Sequence, residues 1–465
     1  MTMGEIGMCS ISGFIVTKAS ADRQAIGRRY LDVLSRGADR GRDSAGVAAL
    51  DTEGRAVRRV ALTPSDYSFA LEAITPRTTV LIGNNRAEPT TEFVREKTPD
   101  DAQPFGDGPV FVSHNGIIAN DGELRTAHRI DTASRIDSAV CPGLIRQLGL
   151  REALDRIQGS LAMAVIDARY PHRLWLARNY KPLYLQADEG LGAVFFASRS
   201  GHLSVETTVR GRLQDPAVVA APSYALLEID GLTGEVREEC LAPRERNRRA
   251  LVICSGGLDS TTAARWAQVA GYDVTLLHFL YGSRAEEREQ EAVRAIAGAL
   301  GCRYRFEDLE WLGHLGGSPL TDPSLPITDN ETGAEFAHEW VPARNLLFVA
   351  MAAALCDRYG YDTLILGLNL EEGGAYPDNT TEFYELLDQV TDIGTMSRPR
   401  ILSPLGNLVK HQIVRLALDL DAPIQLSWSC YYGGEKHCGH CGPCFMRRTA
   451  FRMIGTPDSV VYDGD

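Results

Sequence analysis

The chain has 465 residues, more than one hydrophobic core ordinarily organises, so two or three domains are expected. Apolar residues make up 44% and charged residues 23%, a soluble globular profile, and the longest apolar run, Leu346 to Cys356, falls short of the ~20 residues a bilayer span takes. A net charge of −13 disfavours broad binding to a phosphate backbone, and the first fifteen residues lack the basic start and apolar core of a secretory signal, so a cytoplasmic location is expected.

The first half reads as short alternating strands, such as "GPVFVSHNG" and "LGAVFFAS", with helices between them. It opens on "CSISGF" (Cys9 to Phe14). There follow "DRGRDSAGVA" (Asp39 to Ala48), "GNNRAEP" (Gly83 to Pro89), "DAQPF" (Asp101 to Phe105), "SHNGIIAN" (Ser113 to Asn120), "SRIDSAV" (Ser134 to Val140), "GSLAMAVID" (Gly159 to Asp167) and "LARNYKPLY" (Leu176 to Tyr184). Singly these are ordinary: Asn-Gly is usually a turn, and an exposed Arg or Asp is usually a solvated charge. Their order and spacing resemble the class II glutamine amidotransferase domain across residues 9 to about 205. That resemblance implies an N-terminal-nucleophile hydrolase fold, a four-layer αββα sandwich. It also implies roles. Cys9 is the thiol that attacks the glutamine amide, with its own α-amine as base. Asn115 and Gly116 match the oxyanion donors, one a side-chain amide and one a backbone N–H. Arg86 matches the arginine that pairs with the glutamine carboxylate, and Asp137 the acid that binds its ammonium. Ser10 stands where the family usually has glycine, and "NNRAEP" lacks the tryptophan common after the arginine.

With residues 1 to 8 attached, the Cys9 amine is an amide and cannot act as a base. Either translation begins at Met8, whose removal exposes Cys9, or the extension is retained and the domain only binds. Arg86, Asn115 and Asp137 favour the first reading.

The rhythm changes at "LAPRERNRR", so residues 1–240 are assigned to the first domain, 241–249 to a linker and 250–465 to the second. The basic run "RERNRR" (Arg244 to Arg249) and the region of Arg447, Arg448 and Arg452 are candidate basic patches, though such runs are commonly solvated surface. Beyond the linker, "RALVICS" reads as a buried strand, "DSTTAARWAQVAGY" as a helix ending near Gly271, "DVTLLHF" as a strand, "EREQEAVRAIAGALG" and "NLLFVAMAAALCDRYG" as helices, and "DTLILGL" as a strand. This alternation implies right-handed crossovers and a parallel, Rossmann-like sheet. "CSGGLDSTT" (Cys254 to Thr262) joins strand to helix. Gly256 and Gly257 let backbone approach a ligand, the amides point outward at a helix N-terminus, and Ser255 and Ser260 add hydroxyls. No lysine closes the loop, so it is not the usual triphosphatase loop.

The string resembles the PP-loop, "SGGxDS", of ATP pyrophosphatases, which implies ATP with Mg2+ held at Ser255, Gly256, Gly257, Asp259 and Ser260 and split to AMP and pyrophosphate. "YGSRAEERE", "LGGSPLT", "VPARN", "YPD" and "SPLGNLVKHQIV" then follow in order. Together they resemble the 7-cyano-7-deazaguanine synthase family over residues 249 to 455, whose substrate pocket maps here to Arg344, Asn345, Tyr376 and Asp378. Two departures bear on the acceptor: Ala343 replaces a usual glycine, and Glu371 and Glu372 enter a segment that helps form the nucleobase pocket.

Cys430, Cys438, Cys441 and Cys444 follow a C-x7-C-x2-C-x2-C pattern, with glycine and proline making tight knuckles. Four soft ligands suit a closed, structural Zn2+ site. His437 and His440 are then surface or supporting residues rather than ligands.

The expected protein is therefore a two-domain, C–N bond-forming synthetase. It adenylates a deazaguanine carboxylate and joins to it nitrogen released from glutamine, as an expected homo-oligomer acting on small molecules. Two other readings stand beside it. One is deazaguanine–protein conjugation, as in relatives of antiviral defence operons, with an inactive first domain and a protein acceptor. The other is amidine formation on deazaguanine in transfer RNA or phage DNA, which the net charge disfavours.

Overall fold

The computed structural model describes residues 9–87, 97–203, 208–209, 212–213, 218–242, 244, 247–327, 339–373 and 376–463. Met8, the Glu88 and Pro89 end of the "GNNRAEP" motif, Glu245, Arg246, Gly374 and Ala375 lie outside these. The chain divides into two compact units, Met1–Ala242 and Pro243–Asp465.

Among the described residues, the first unit carries two large antiparallel sheets. One holds seven strands in the order Val219–Ala220, Tyr184–Asp188, Ala193–Ala197, Ser10–Val16, Thr78–Arg86, Ser44–Asp51 and Ala56–Leu62. The other holds six, in the order Val236–Cys240, Ala225–Asp230, Arg173–Arg178, Gly159–Asp167, Val110–Ile118 and Phe105–Asp107. Strand alternation sorts the apolar residues between layers. Ile11 and Ile15 pack with Ala162, Ala164, Leu176 and Leu227 between the sheets. Phe14 and Val16 face the other way, onto Ile26, Tyr30, Val33 and Leu34 of the helix Arg23–Arg36. Behind the second sheet, Val112, Met163 and Val165 meet Leu144 and Ile145 of the helix Cys141–Leu148. Helix, sheet, sheet and helix are thus stacked as the four-layer sandwich that the motif order implies.

The second unit is a parallel five-stranded sheet among the described residues, in the order Arg303–Asp308, Asp273–Leu280, Arg249–Ile253, Thr363–Ile365 and Arg400–Leu402. Val252 and Leu276 face the helices Leu258–Val269, Glu286–Leu300, Lys410–Asp419 and Gly442–Ile454. Their neighbours Leu251 and Leu277 face the helices Arg344–Tyr359 and Thr381–Gly394. Both faces are covered, which is why these strands read as continuous apolar runs. Strand order reverses at Arg249–Ile253, so its carboxyl end opens onto a crevice. No helix among the described residues is long and apolar enough to cross a membrane.

The candidate basic patches are largely spent on structure. Arg244 forks onto the Asp388 carboxylate at 2.8 and 2.9 Å, and Arg248 and Arg249 donate to the carbonyls of Ala270 and Tyr359. Arg447 is buried and donates to both oxygens of Asp458.

Candidate functional site

In the first unit, Ser10 pairs with Asn85, which sets Cys9 opposite Arg86 at the end of two neighbouring strands. Cys9 Sγ lies 3.6 Å from the Ala87 carbonyl. Arg86 is buried, and its carbonyl accepts the Asp43 N–H. The second sheet is tied to this edge by Asn84 Nδ2, which donates to the His114 carbonyl at 3.2 Å. His114 immediately precedes Asn115 and Gly116.

Asn115 Nδ2 is buried with no hydrogen-bond partner among the described residues. An orphaned buried amide donor costs about 1–3 kcal/mol, and it invites an acceptor. Gly116 sits at φ +154°, and a Cβ there would meet the Ser160 carbonyl at 1.8 Å, so no other residue can hold this backbone. Asp137 opens a short 3-10 turn. Its Oδ2 accepts the Ile118 N–H at 2.6 Å, and its Oδ1 accepts the Ser138 N–H and hydroxyl. The quoted motifs brace one another here: Gln103 Oε1 accepts the His114 N–H at 2.6 Å, and Ser134 donates to Asp101 at 2.8 Å.

Two further residues of the quoted motifs belong to this edge, although sequence reasoning did not single them out. Lys181 is held below its ordinary value by burial and by the charge of Arg40, while Cys9 pulls it the other way. The "NYKP" string was the available signal for Lys181.

In the second unit, Ser255, Gly257, Asp259 and Ser260 line one cleft with Arg344, Asn345 and Tyr376. Gly256 does not face it. Its φ is +81°, its carbonyl accepts the Trp428 N–H at 2.8 Å, and a Cβ would meet the Glu289 carbonyl at 2.8 Å. Ser255 and Ser260 hydroxyls are 3.3 Å apart across the loop. Asp259 Oδ2 accepts from Lys410 Nζ and from Asn369 Nδ2, each at 2.7 Å, while its Oδ1 is buried without a partner among the described residues. Lys410 also lies 3.7 Å from Glu372, whose carboxyl burial pushes up while Lys410 opposes the shift.

Asp378 stands behind the cleft rather than in it. Its carboxylate takes the Asn345 N–H at 3.2 Å, and its carbonyl takes Asn345 Nδ2 at 3.2 Å. Tyr376 stacks on Trp340 with ring centroids 6.2 Å apart. Ala343, just before Arg344, adopts φ +53°, the left-handed region that favours glycine. Lys410, Asn369 and Glu289 were not marked from sequence. Lys410 lies inside the quoted "SPLGNLVKHQIV", but nothing local signals that it reaches Asp259.

Cys430, Cys438, Cys441 and Cys444 bring their sulfurs within 4.8 Å of one another. A tetrahedral zinc with Zn–S bonds of about 2.3 Å would separate its sulfurs by about 3.8 Å, so the set needs only slight contraction. The Tyr432 and Cys438 N–H groups point at Cys430 Sγ at 3.3 and 3.4 Å, and the Cys441 N–H points at Cys438 Sγ at 3.3 Å. Donors aimed at sulfur suit thiolate ligands, so the residues present fit zinc. His437 is buried and its Nε2 accepts the Ser429 N–H at 3.1 Å, whereas His440 is exposed. Cys430 also lines the cleft.

The family model described as "Queuosine biosynthesis protein QueC" matches residues 249–455. A glutamine amidotransferase domain model matches residues 91–204, a range that contains Asn115, Gly116 and Asp137 but not Cys9 or Arg86. The 7-cyano-7-deazaguanine synthase 2 of Sulfurisphaera tokodaii is 42% identical, covering 98% of this chain and 100% of its own. The 7-cyano-7-deazaguanine synthase of Sulfolobus acidocaldarius is 40% identical over the same shares. A protein of that name from Campylobacter curvus is 35% identical over 46% of this chain and 98% of its own.

Proposed function

The chain belongs to the 7-cyano-7-deazaguanine synthase family, and from that premise we propose that it converts a 7-carboxy-7-deazaguanine to the nitrile with ammonia drawn from glutamine. The observation that carries the reading is the shared cleft of the second unit, where the phosphate-loop residues and Arg344, Asn345 and Tyr376 face one space. Ser255, Ser260 and the amides at the start of the helix Leu258–Val269 receive the pyrophosphate of ATP, since a helix N-terminus favours an anion. Mg2+ bound with ATP would neutralise phosphate charge, and Asp259 Oδ1 is the group free to face it. Arg344 and Asn345 hold the deazaguanine so that its carboxylate meets the α-phosphate. Attack gives the acyl adenylate and pyrophosphate, and ammonia displaces AMP to leave the amide. A second adenylation, on the amide oxygen, precedes loss of AMP and formation of the nitrile.

In the first unit, the Cys9 thiol attacks the glutamine amide carbon with its α-amine as base, which requires Cys9 to be the first residue. Arg86 and Asp137 orient the glutamine through its carboxylate and ammonium. Asn115 Nδ2 and the Gly116 N–H take the oxyanion, the role that the unpartnered Asn115 amide supports. Ammonia leaves, and water releases glutamate from the thioester. Zinc at the four cysteines is structural, because four thiolates leave no open position.

The test is mass spectrometry of products from ATP, carboxy-deazaguanine and glutamine. The nitrile with AMP and pyrophosphate is expected. ADP and phosphate would refute the phosphate-loop assignment. A deazaguanine adduct on protein or nucleic acid, without nitrile, would replace this reading with one of the two alternatives.

A further inference from the structure

Glu289 is a carboxylate in the second cleft that the steps above do not use. It sits in the first turn of the helix Glu286–Leu300, directly behind the phosphate loop, whose Gly256 leaves only 2.8 Å between a notional Cβ and the Glu289 carbonyl. Its side chain lines the same cleft as Ser255, Ser260 and Arg344. Ser283 Oγ donates to Glu289 Oε2 at 2.8 Å, which fixes one oxygen of the carboxyl. Arg344 reaches toward it from the helix Arg344–Tyr359, and Arg344 Nη1 lies 3.5 Å from the Tyr281 hydroxyl. The carboxyl is thus set between the loop expected to hold the phosphates and the arginine expected to hold the deazaguanine, where the nitrogen that displaces AMP from carbon would stand.

We propose that Glu289 is the general base of this cleft, taking the nitrogen-borne proton as the nitrile forms. The assignment rests on the reading above. In the first stage ammonia attacks the acyl adenylate, the nitrogen gives a proton to the Glu289 carboxylate, and the C–O bond to AMP breaks with its electron pair leaving on AMP. In the second stage the O-adenylated amide gives an N–H proton to Glu289. The nitrogen pair closes the C≡N bond, and the C–O pair again leaves with AMP. Bulk water resets the carboxylate between stages.

The protonation range suits the task. Burial pushes the Glu289 carboxyl up to about 7, with the Ser283 hydrogen bond and the Arg344 charge opposing and Glu286 adding to the rise. A base works best with a pKa near the working pH. The charged and titratable groups that face it are Arg344, Tyr281 and, on its own helix, Glu286.

The experiment supplies carboxy-deazaguanine, ATP and an ammonium salt, so that the first unit is bypassed, and follows two quantities. One is ATP–pyrophosphate exchange, which reads adenylation. The other is nitrile by mass. The wild-type protein should form nitrile at a rate that rises with pH through about 7. Glu289→Gln should keep exchange within about twofold, slow nitrile formation by about 10²-fold or more, and lose the pH limb. Ser283→Ala, a milder change, should move that limb to higher pH while keeping the plateau rate, because its hydrogen bond holds the carboxyl down. Nitrile formation by Glu289→Gln near the wild-type rate overturns the proposal. So does a parallel fall of exchange and nitrile, which would mark a structural role, and so does an unmoved limb in Ser283→Ala. A wild-type protein that binds all three substrates and makes no nitrile overturns the function itself, and the assignment with it.

Discussion

Lys410 Nζ lies 2.7 Å from Asp259 Oδ2, and the two charges are largely withdrawn from water. The pair ties the first turn of the helix behind the phosphate loop to the start of the helix Lys410–Asp419. Removing one member of a buried pair leaves the other uncompensated, at about 3–5 kcal/mol. Asp259→Ala should therefore lower unfolding free energy by about that amount as well as stop pyrophosphate release. Asp259→Asn keeps the shape and an acceptor for Lys410 Nζ but removes the charge, so it should be destabilised too, by less than Asp259→Ala, while losing activity. Urea unfolding alongside a pyrophosphate assay separates the two effects, and wild-type stability in both variants would show the pair to be weak.

Protein beginning at Cys9 should hydrolyse glutamine, and the same protein with residues 1 to 8 retained should not, because the extension converts the base into an amide. Cys9→Ala should abolish glutamine-dependent synthesis but spare synthesis from an ammonium salt. If the Cys9-initiated protein releases no ammonia even with ATP and the deazaguanine present, the first unit only binds, and the protein-conjugation reading gains.

One zinc per chain is expected on elemental analysis. Cys441→Ser should lower the unfolding temperature of the second unit rather than slow one chemical step selectively. ATP affinity should weaken with it, since Ser429 rests on His437 and the adjacent Trp428 N–H holds the Gly256 carbonyl. A zinc-free protein with an unchanged melting curve would refute a structural metal.

Ala343 pays for its left-handed backbone, which costs an L-residue roughly 1–2 kcal/mol. Glycine relieves that strain but adds unfolded-state freedom worth about 0.4–1 kcal/mol. Ala343→Gly should consequently stabilise by up to about 1 kcal/mol, and Ala343→Val should destabilise, as read by thermal unfolding.

Stability should also carry the signature of Glu289. Its carboxyl holds a proton up to about 7 in the folded chain and only to about 4.3 when unfolded. Between those values the unfolded chain binds fewer protons, so stability falls as pH rises through that window. Glu289→Gln should flatten this part of the curve. A slope identical to wild type would place the titration elsewhere.

The parts legible in the sequence were those written in contiguous strings. The strand–loop–helix at Cys254 to Thr262, the cysteine spacing and the Asn-Gly at Asn115 are local patterns, and local backbone geometry realises them. What stayed hidden depends on distant partners. Arg244 reads as part of a charged linker until Asp388 meets it, and Arg447 reads as one of three exposed arginines until Asp458 folds back on it. Glu289 reads as one more acid in a helical charge run. Only the packing of that helix against Gly256 turns it toward the cleft.

The Arg447–Asp458 clamp has a practical bearing on where this molecule can be cut. The queuosine-family match stops at residue 455, and an excision guided by it would look complete. Yet Arg447 is 1% exposed and donates two hydrogen bonds to Asp458, while Tyr462 donates to the same carboxylate at 2.6 Å. A fragment ending at 455 would leave that guanidinium with neutral acceptors on Ser427, Ser429 and Ile424 but without its carboxylate counter-charge. The stretch that carries Asp458 and Tyr462 is a wedge against Arg447, not trimming.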